Sequence, residues 1–222
     1  MPKRKIFLFR HGKTYYNQRG IFTGRKNAKL SPAGIKDAKK IAKKIKNKKF
    51  QIAIHTSLSR SIDTLKPVLK YHPECIKIIK DDRMTERSYG KLEGTKHTTF
   101  LKEAGEKNIK FLKEKGDALE EIDPKLKAKL EKLLGKAEYK AIHRGYDIRP
   151  PGGESFADVE KRVLSFIKYL KKMMKKEKVN VAISAHGNSI RLFRKIMEKS
   201  SKKETAKWFI PYNKIYEYTI KV

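Results

Sequence analysis

Several things are scarce in this 222-residue chain. It has one cysteine, Cys75, and one tryptophan. A lone cysteine excludes an internal disulfide and a cysteine-built metal cluster. No stretch approaches the ~20 apolar residues of a membrane span. The N-terminal MPKRKIFLFRHG is basic and then apolar, but its apolar part, Ile6 to Phe9, is too short for the core of a secretion signal. Acidic residues are also few, 24 against 56 Lys plus Arg, for a formal charge of +32. No internal repeat or linker interrupts the chain. Hydrophobic residues make up 38% and include ten Phe and ten Tyr, enough for a core and too many for a disordered polycation. The expectation is a cytoplasmic, globular, single domain over residues 1–222.

A charge of +32 points to a polyanion, or to helix faces covered in lysine. Twelve of the basic residues are Arg, which leaves 44 Lys. Lys suits solvated surface, whereas the Arg guanidinium is shaped for bidentate phosphate recognition. The lysines cluster where amphipathic helices belong. Lys36, Lys39, Lys40, Lys43, Lys44, Lys46, Lys48 and Lys49 surround Ile35, Ala38, Ile41, Ala42 and Ile45; a second cluster runs from Lys168 to Lys178. Their pattern is that of solvated helix faces. No RRM, zinc-finger, helix-turn-helix or P-loop pattern accompanies the charge, so a basic nucleic-acid-binding module is a remote alternative.

Short apolar runs at Lys5–Phe9, Gln51–His55, Ile76–Ile79 and Val179–Ser184 read as strands, with a last strand at a sheet edge over Ile215–Val222. Helices are expected from Ser31-Pro32 to about Asn47, from Leu58 to Lys70 with Pro67 as a kink or end, from Ser155, which forms a capping box with Asp158, and over Ser189–Lys199. Residues 97–143 are Lys/Glu-rich, with helical patterns around Phe100–Phe111 and Pro124–Leu134 and glycines at 105, 116 and 135. They read as a helical lid insertion over one end of the sheet. The alternation predicts a three-layer α/β/α sandwich with a largely parallel sheet. Such sheets bind ligands beyond the carboxyl ends of their strands. Two strands here end in Arg10-His11-Gly12 and His186-Gly187-Asn188.

A neutral His11 imidazole could act as a nucleophile on phosphorus. Phosphoryl transfer to it needs positive donors around three equatorial oxygens and one proton donor for the leaving oxygen. Arg10, Arg60 and His186 supply the first requirement, and Glu86 the second. A bridging metal is not required, and no two-carboxylate metal site stands out. His55 and His72 read as strand-end and surface-loop residues, Cys75 as a small residue opening a strand, and Tyr212, Tyr216 and Tyr218 as terminal packing.

The ordered set FLFRHGKTYYN (Phe7–Asn17), IFTGR (Ile21–Arg25), KLSPAGIKDA (Lys29–Ala38), TSLSR (Thr56–Arg60), ERSYGKLEG (Glu86–Gly94), RGYDIRPPGGES (Arg144–Ser155) and AHGNSIR (Ala185–Arg191) resembles the histidine phosphatase superfamily, and within it the cofactor-dependent phosphoglycerate mutase branch. The resemblance implies that His11 is phosphorylated and that Arg10, Arg60 and His186 hold the phosphoryl group, with Asn17 nearby. It implies that Glu86 gives and takes the proton, and that Gly12 permits a close backbone approach. Thr23, Gly24, Tyr89, Gly187 and Asn188 would line the substrate site, with Arg87 and Arg144 reaching the substrate's carboxylate or second phosphate.

The chain departs from the mutase pattern at three positions. Ser88 stands where a His is typical, His97 where a Lys is, with Lys96 beside it, and His143-Arg144 where an Arg pair is. His97 and His143 are either solvated lid residues or phosphate-site donors. The implied function is interconversion of 3-phosphoglycerate and 2-phosphoglycerate through phospho-His11, primed by 2,3-bisphosphoglycerate. The alternative is a phosphatase that passes the same intermediate to water. The implied partner is a small phosphorylated carboxylic acid, and a homo-oligomer is compatible with this reading.

Overall fold

The computed structural model describes residues 3–115 and 123–221. Five strands form one sheet: β1 (Lys3–Arg10), β2 (Ile52–His55), β3 (Lys77–Lys80), β4 (Val181–Ala185) and β5 (Ile215–Lys221). Their order is β3-β2-β4-β1-β5, and β5 alone runs antiparallel, at the edge beside β1. Alternation along β1 sorts its side chains between two faces. Ile6 and Leu8 join a core with helix α6 (Phe156–Glu177) and helix α7 (Gly187–Glu198). Phe7 and Phe9 join a second core with helix α2 (Pro32–Ile45) and helix α3 (Ser59–Leu69). The three-layer α/β/α sandwich expected from the sequence is therefore what forms.

The helix starts obey local rules. Ser31 accepts from the Gly34 amide ahead of Pro32, and Ser155 and Asp158 close a reciprocal capping box. Pro67 sits in the last turn of α3, where the helix is already ending. Short helices α1 (Tyr15–Gln18) and α8 (Lys202–Lys207) carry too little periodicity to read from sequence.

Two expectations fail on burial. Ile35 was placed on the inner face of α2 but is 48% exposed; Gly34 turns inward instead, because α2 must lie against the loop after β1. His72 was placed on a surface loop but is 2% exposed. Its ring packs 4.2 Å from that of Phe50, with Nδ1 2.9 Å from the Glu74 carboxylate.

The insertion is two long helices, α4 (His97–Lys115) and α5 (Pro124–Arg144), both longer than their apolar patterns suggested. Gly105 and Gly135 lie inside them at a close crossing. A Cβ on Gly105 would come 2.3 Å from the Glu131 carbonyl oxygen, and one on Gly135 2.0 Å from that of Leu101. Gly116 lies outside the described residues. The insertion joins the body through a small cluster in which Phe100, Ala104, Tyr139 and Ile142 meet Phe22 and Tyr89.

Candidate active site

The register of β1 against β4 pairs Arg10 with Ala185, so the residues that follow them, His11 and His186, leave the sheet side by side. Their ring centroids are 5.0 Å apart. The His11 amide donates to the Ala185 carbonyl (3.0 Å), which fixes the loop to the neighbouring strand. His11 Nδ1 lies 2.7 Å from the Gly12 carbonyl, which can only accept. Nδ1 therefore carries the proton, and the Nε2 lone pair is free to attack. Burial holds the His11 pKa well below its ordinary value, and the nearby Arg60 and Arg10 push it further down. The imidazole is thus neutral and nucleophilic at neutral pH. Gly12 does serve a close approach, to α2: a Cβ there would lie 2.2 Å from the Gly34 carbonyl oxygen.

The four other groups expected near His11 arrive from separate elements. Arg10 reaches back from the end of β1 and donates to the Ile210 carbonyl (2.8 Å). Arg60, in the first turn of α3, donates to the carbonyls of Lys26 (2.8 Å) and Gly24 (2.7 Å). Burial lowers its pKa to about 10. Glu86 follows a short 3-10 turn after β3. Its Oε1 accepts from the Arg87 amide (2.8 Å) and the Asn188 amide (3.1 Å), so the carboxyl is held against the start of α7. His186 caps that helix and places Nε2 2.8 Å from the Thr56 hydroxyl. Burial depresses its pKa, with Arg60 and His11 next in effect.

His11, Glu86 and His186 bring potential ligand atoms within 4.8 Å of one another. The Arg10 and Arg60 charges bear on both imidazoles, and such a field favours an oxyanion over a cation.

Arg10 and Glu86 open into a cavity of about 240 Å³, whereas His11, Arg60 and His186 are buried and do not themselves line it. Of the residues expected to bind substrate, Asn17, Thr23, Gly24, Tyr89, His97, Arg144, Gly187 and Asn188 all line it, together with Arg10 and Glu86. Arg87 does not. It is fully buried behind the wall, where Nε donates to the Glu154 carbonyl (2.7 Å) and a terminal nitrogen to that of Ile142 (2.5 Å). Asn17 forms a capping box with Thr14 that fixes its side chain. Gly24 holds φ +48°, and a Cβ there would meet the Glu93 carboxylate at 2.0 Å. Ser88 is turned away from the cavity and donates to Glu93 (3.0 Å). His97 and His143 are cavity residues rather than solvated ones. Burial lowers both pKa values, that of His143 to about 3 with Arg144 adding to the effect. No lysine lines the cavity.

Arg191, Phe209, Ile210 and Tyr212 also form the wall. Tyr212, expected to pack at the terminus, lies under the Arg10 guanidinium, 4.0 Å from ring centroid to carbon. Arg191 was visible only as the end of the AHGNSIR string, and residues 209–212 carry no periodic signal.

Among the described residues, buried side-chain nitrogens without a hydrogen-bond partner occur on Arg10, Arg60, Arg87, His143, Arg144, His186 and Arg191, and elsewhere only on Arg4 and His72. Buried donors are normally satisfied, so such a concentration marks where an anion completes the structure. Unpaired guanidinium donors and a neutral nucleophilic imidazole at the carboxyl edge of a parallel sheet define an enzyme of phosphoryl transfer.

Comparison with known proteins agrees. The profile of the histidine phosphatase superfamily (branch 1) matches residues 6–140 and 119–221, and the chain belongs to that family. It is a phosphohistidine-dependent mutase or phosphatase. A phosphoglycerate mutase of Schizosaccharomyces pombe is 32% identical over 191 residues, covering 84% of this chain and 75% of its own. A 2,3-bisphosphoglycerate-dependent phosphoglycerate mutase of Methanococcus vannielii is 30% identical over 212 residues, covering 93% and 86%. In fold, the chain matches a mycobacterial glucosyl-3-phosphoglycerate phosphatase with a TM-score of 0.71 at 18% identity, over 97% of each chain. No helix of the described residues is long and apolar enough to cross a membrane.

Proposed function

We propose that this protein interconverts 3-phosphoglycerate and 2-phosphoglycerate through phospho-His11. The observation that carries the proposal is two sets of unpaired donors, one around buried His11, of which Arg10 reaches the cavity, and one on the cavity wall. Arg10, Arg60 and His186 surround the nucleophile, while Arg144, Arg191 and His143 belong to the wall that includes the insertion. A phosphorylated carboxylic acid has an anion for each set.

His11 Nε2 attacks phosphorus as the bond to the leaving oxygen breaks, and Glu86 protonates that oxygen. In the reverse sense Glu86 takes the proton of the acceptor hydroxyl as the phosphoryl group leaves His11. The guanidiniums of Arg10 and Arg60 and the His186 ring neutralise charge on the equatorial oxygens. The first phosphoryl group on His11 would come from 2,3-bisphosphoglycerate, whose two phosphates suit the two donor sets. Residues 1–222 act as one domain in this reading, and the insertion over 97–143 serves as a lid that keeps water from the intermediate.

A second reading, hydrolysis of a small phosphomonoester, has support of its own. His97 and His143, uncharged, stand where the mutase pattern has cations, so the wall grips a second anion less firmly. The experiment is incubation with 3-phosphoglycerate, with and without 2,3-bisphosphoglycerate, measuring 2-phosphoglycerate and free phosphate. Isomerisation stimulated by the bisphosphate supports the mutase; phosphate release without isomerisation overturns it. His11→Ala should lower either activity by at least about a thousandfold. Turnover retained in that variant would refute the phosphohistidine mechanism.

A further inference from the structure

Arg10 ends β1 beside the nucleophile and lines the cavity, and the groups that hold it are neutral. One terminal nitrogen donates to the Ile210 carbonyl (2.8 Å). The guanidinium carbon, Cζ, lies 4.0 Å from the centroid of the Tyr212 ring. Gly187 leaves room for it: a Cβ there would come 3.3 Å from Cζ and 3.4 Å from Nε. The arginines with carboxylate partners among the described residues are Arg25, Arg83, Arg149, Arg162 and Arg194, and Arg10 is not one of them. A carboxylate would hold Arg10 more firmly but would cancel the charge that a phosphoryl group needs. A carbonyl and a ring face orient the guanidinium and leave that charge in place. Nε has no hydrogen-bond partner, and the charge is felt at His11, where it adds to burial and Arg60 in lowering the pKa.

Tyr212 is itself fixed. It belongs to the segment between α8 and β5, whose carbonyls are pinned by side chains from elsewhere. Arg191 donates to that of Trp208 (2.8 Å), Arg10 to that of Ile210, and the Lys44 ammonium to that of Asn213 (2.8 Å). Pro211, next to Tyr212, restricts the backbone further. The Tyr212 ring also meets the His11 imidazole in a T-shaped contact, with centroids 6.3 Å apart. One anchored ring therefore lies against both the cation and the nucleophile.

We infer that Tyr212 is a positioning residue for phosphoryl transfer: its ring face holds the Arg10 guanidinium in place beside His11 before substrate arrives. The inference rests on phosphoryl transfer at His11, which both readings of the function share. Tyr212 needs no contact with phosphorus, because its effect passes through Arg10. Without the ring, Arg10 keeps its Ile210 anchor alone, and ordering a long side chain on binding costs affinity.

The test is binding of orthovanadate, which adopts the five-coordinate geometry of a phosphoryl group in transfer, measured on the whole chain by titration calorimetry. Tyr212→Leu should weaken binding about fivefold, whereas Tyr212→Phe, which keeps the ring, should stay within about twofold of the unaltered protein. Tyr212→Phe carrying one, two or three ring fluorines should weaken it stepwise, since fluorine drains negative charge from the ring face and barely alters its shape. A merely structural role would not follow that series, and the series remains decisive if Tyr212→Leu does not fold. In an Arg10→Ala background the same substitutions should change affinity by less than about twofold, as expected when one residue acts through the other. Equal losses with and without Arg10 would overturn the inference, as would unchanged binding in Tyr212→Leu or no response to fluorination. No vanadate binding by the unaltered protein would overturn it together with the phosphohistidine site. Failure to form 2-phosphoglycerate, by contrast, counts against the mutase alone.

Discussion

Thr56 shows how one hydroxyl can set the chemistry of a histidine. Its Oγ1 accepts from the Leu58 amide (3.4 Å), so its own proton is free to go to His186 Nε2 at 2.8 Å. That leaves the His186 proton on Nδ1, a buried nitrogen with no protein partner, available to a phosphoryl oxygen. Thr56→Val keeps the shape and removes the hydroxyl. The other tautomer then becomes equally accessible, and the lost alignment should cost about tenfold in kcat with little change in KM, measured by steady-state assay. An unchanged kcat would mean that His186 needs no such orientation. At this scale the sequence is informative wherever function is local. His11 and His186 each follow an apolar strand directly, and Glu86, Tyr89 and Arg60 sit in strings with recognisable order. Arg191 ends the AHGNSIR string, which does not show which side of α7 its side chain takes; Tyr212 escaped because residues 209–212 carry no periodic signal, and contacts of Arg10 with Ile210 and Tyr212 bring that segment to the cavity. Arg87, by contrast, sits in a legible string and still falls behind the wall, since a string fixes order along the chain and not which side of a loop a side chain takes.

The insertion illustrates the same limit for elements. Gly105 and Gly135 have no evident purpose in the sequence, since an isolated glycine costs a helix about 1 kcal/mol relative to alanine. They are instead the points where α4 and α5 touch backbone to backbone, and the helices run straight through them to 97–115 and 124–144. Gly135→Ala separates the two effects. Helix propensity alone would make the variant more stable by about 1 kcal/mol. The new Cβ would sit 2.0 Å from the Leu101 carbonyl oxygen, however, and backbone cannot yield as a flexible side chain does. Forced separation of a packed contact costs roughly 1–3 kcal/mol, so the net sign is destabilising. Because His97, His143 and Arg144 ride on these helices and line the cavity, KM for substrate should rise severalfold while the sheet stays intact. Hydrogen exchange should quicken over 97–115 and 124–144 and remain slow in β1 and β4. Slower exchange across the insertion would show that propensity wins. The strands and the helices of the sandwich were legible because their periodicity is unbroken; the insertion was legible as two helices but not in their full length or their crossing, because its apolar stripe is thin and its closest contacts involve residues without side chains.

For the whole molecule, the charge of +32 divides by residue type. The lysines of α2 and α6 are exposed almost without exception and none reaches the cavity, while buried arginines gather around it. Balance at the site is kept by neutral histidines: burial holds His11, His186, His97 and His143 below their ordinary pKa, and neighbouring guanidiniums add to it at His11, His186 and His143. This has a consequence for stability. In the unfolded chain these imidazoles take protons near pH 6.5, whereas in the folded protein they do so only at lower pH. Below pH 6.5 the unfolded state therefore binds more protons, and stability falls as the solution is acidified. The loss from His143 should accumulate from pH 6.5 down towards about 3, its folded value. His143→Gln removes that group from both states and leaves the other titrations in place. Calorimetric melting from pH 7.5 to pH 5 should show Tm dropping in both proteins, and dropping less in the variant. Parallel curves would mean that His143 is protonated as readily folded as unfolded, and that the guanidiniums of Arg144, Arg87 and Arg191 do not govern that end of the cavity.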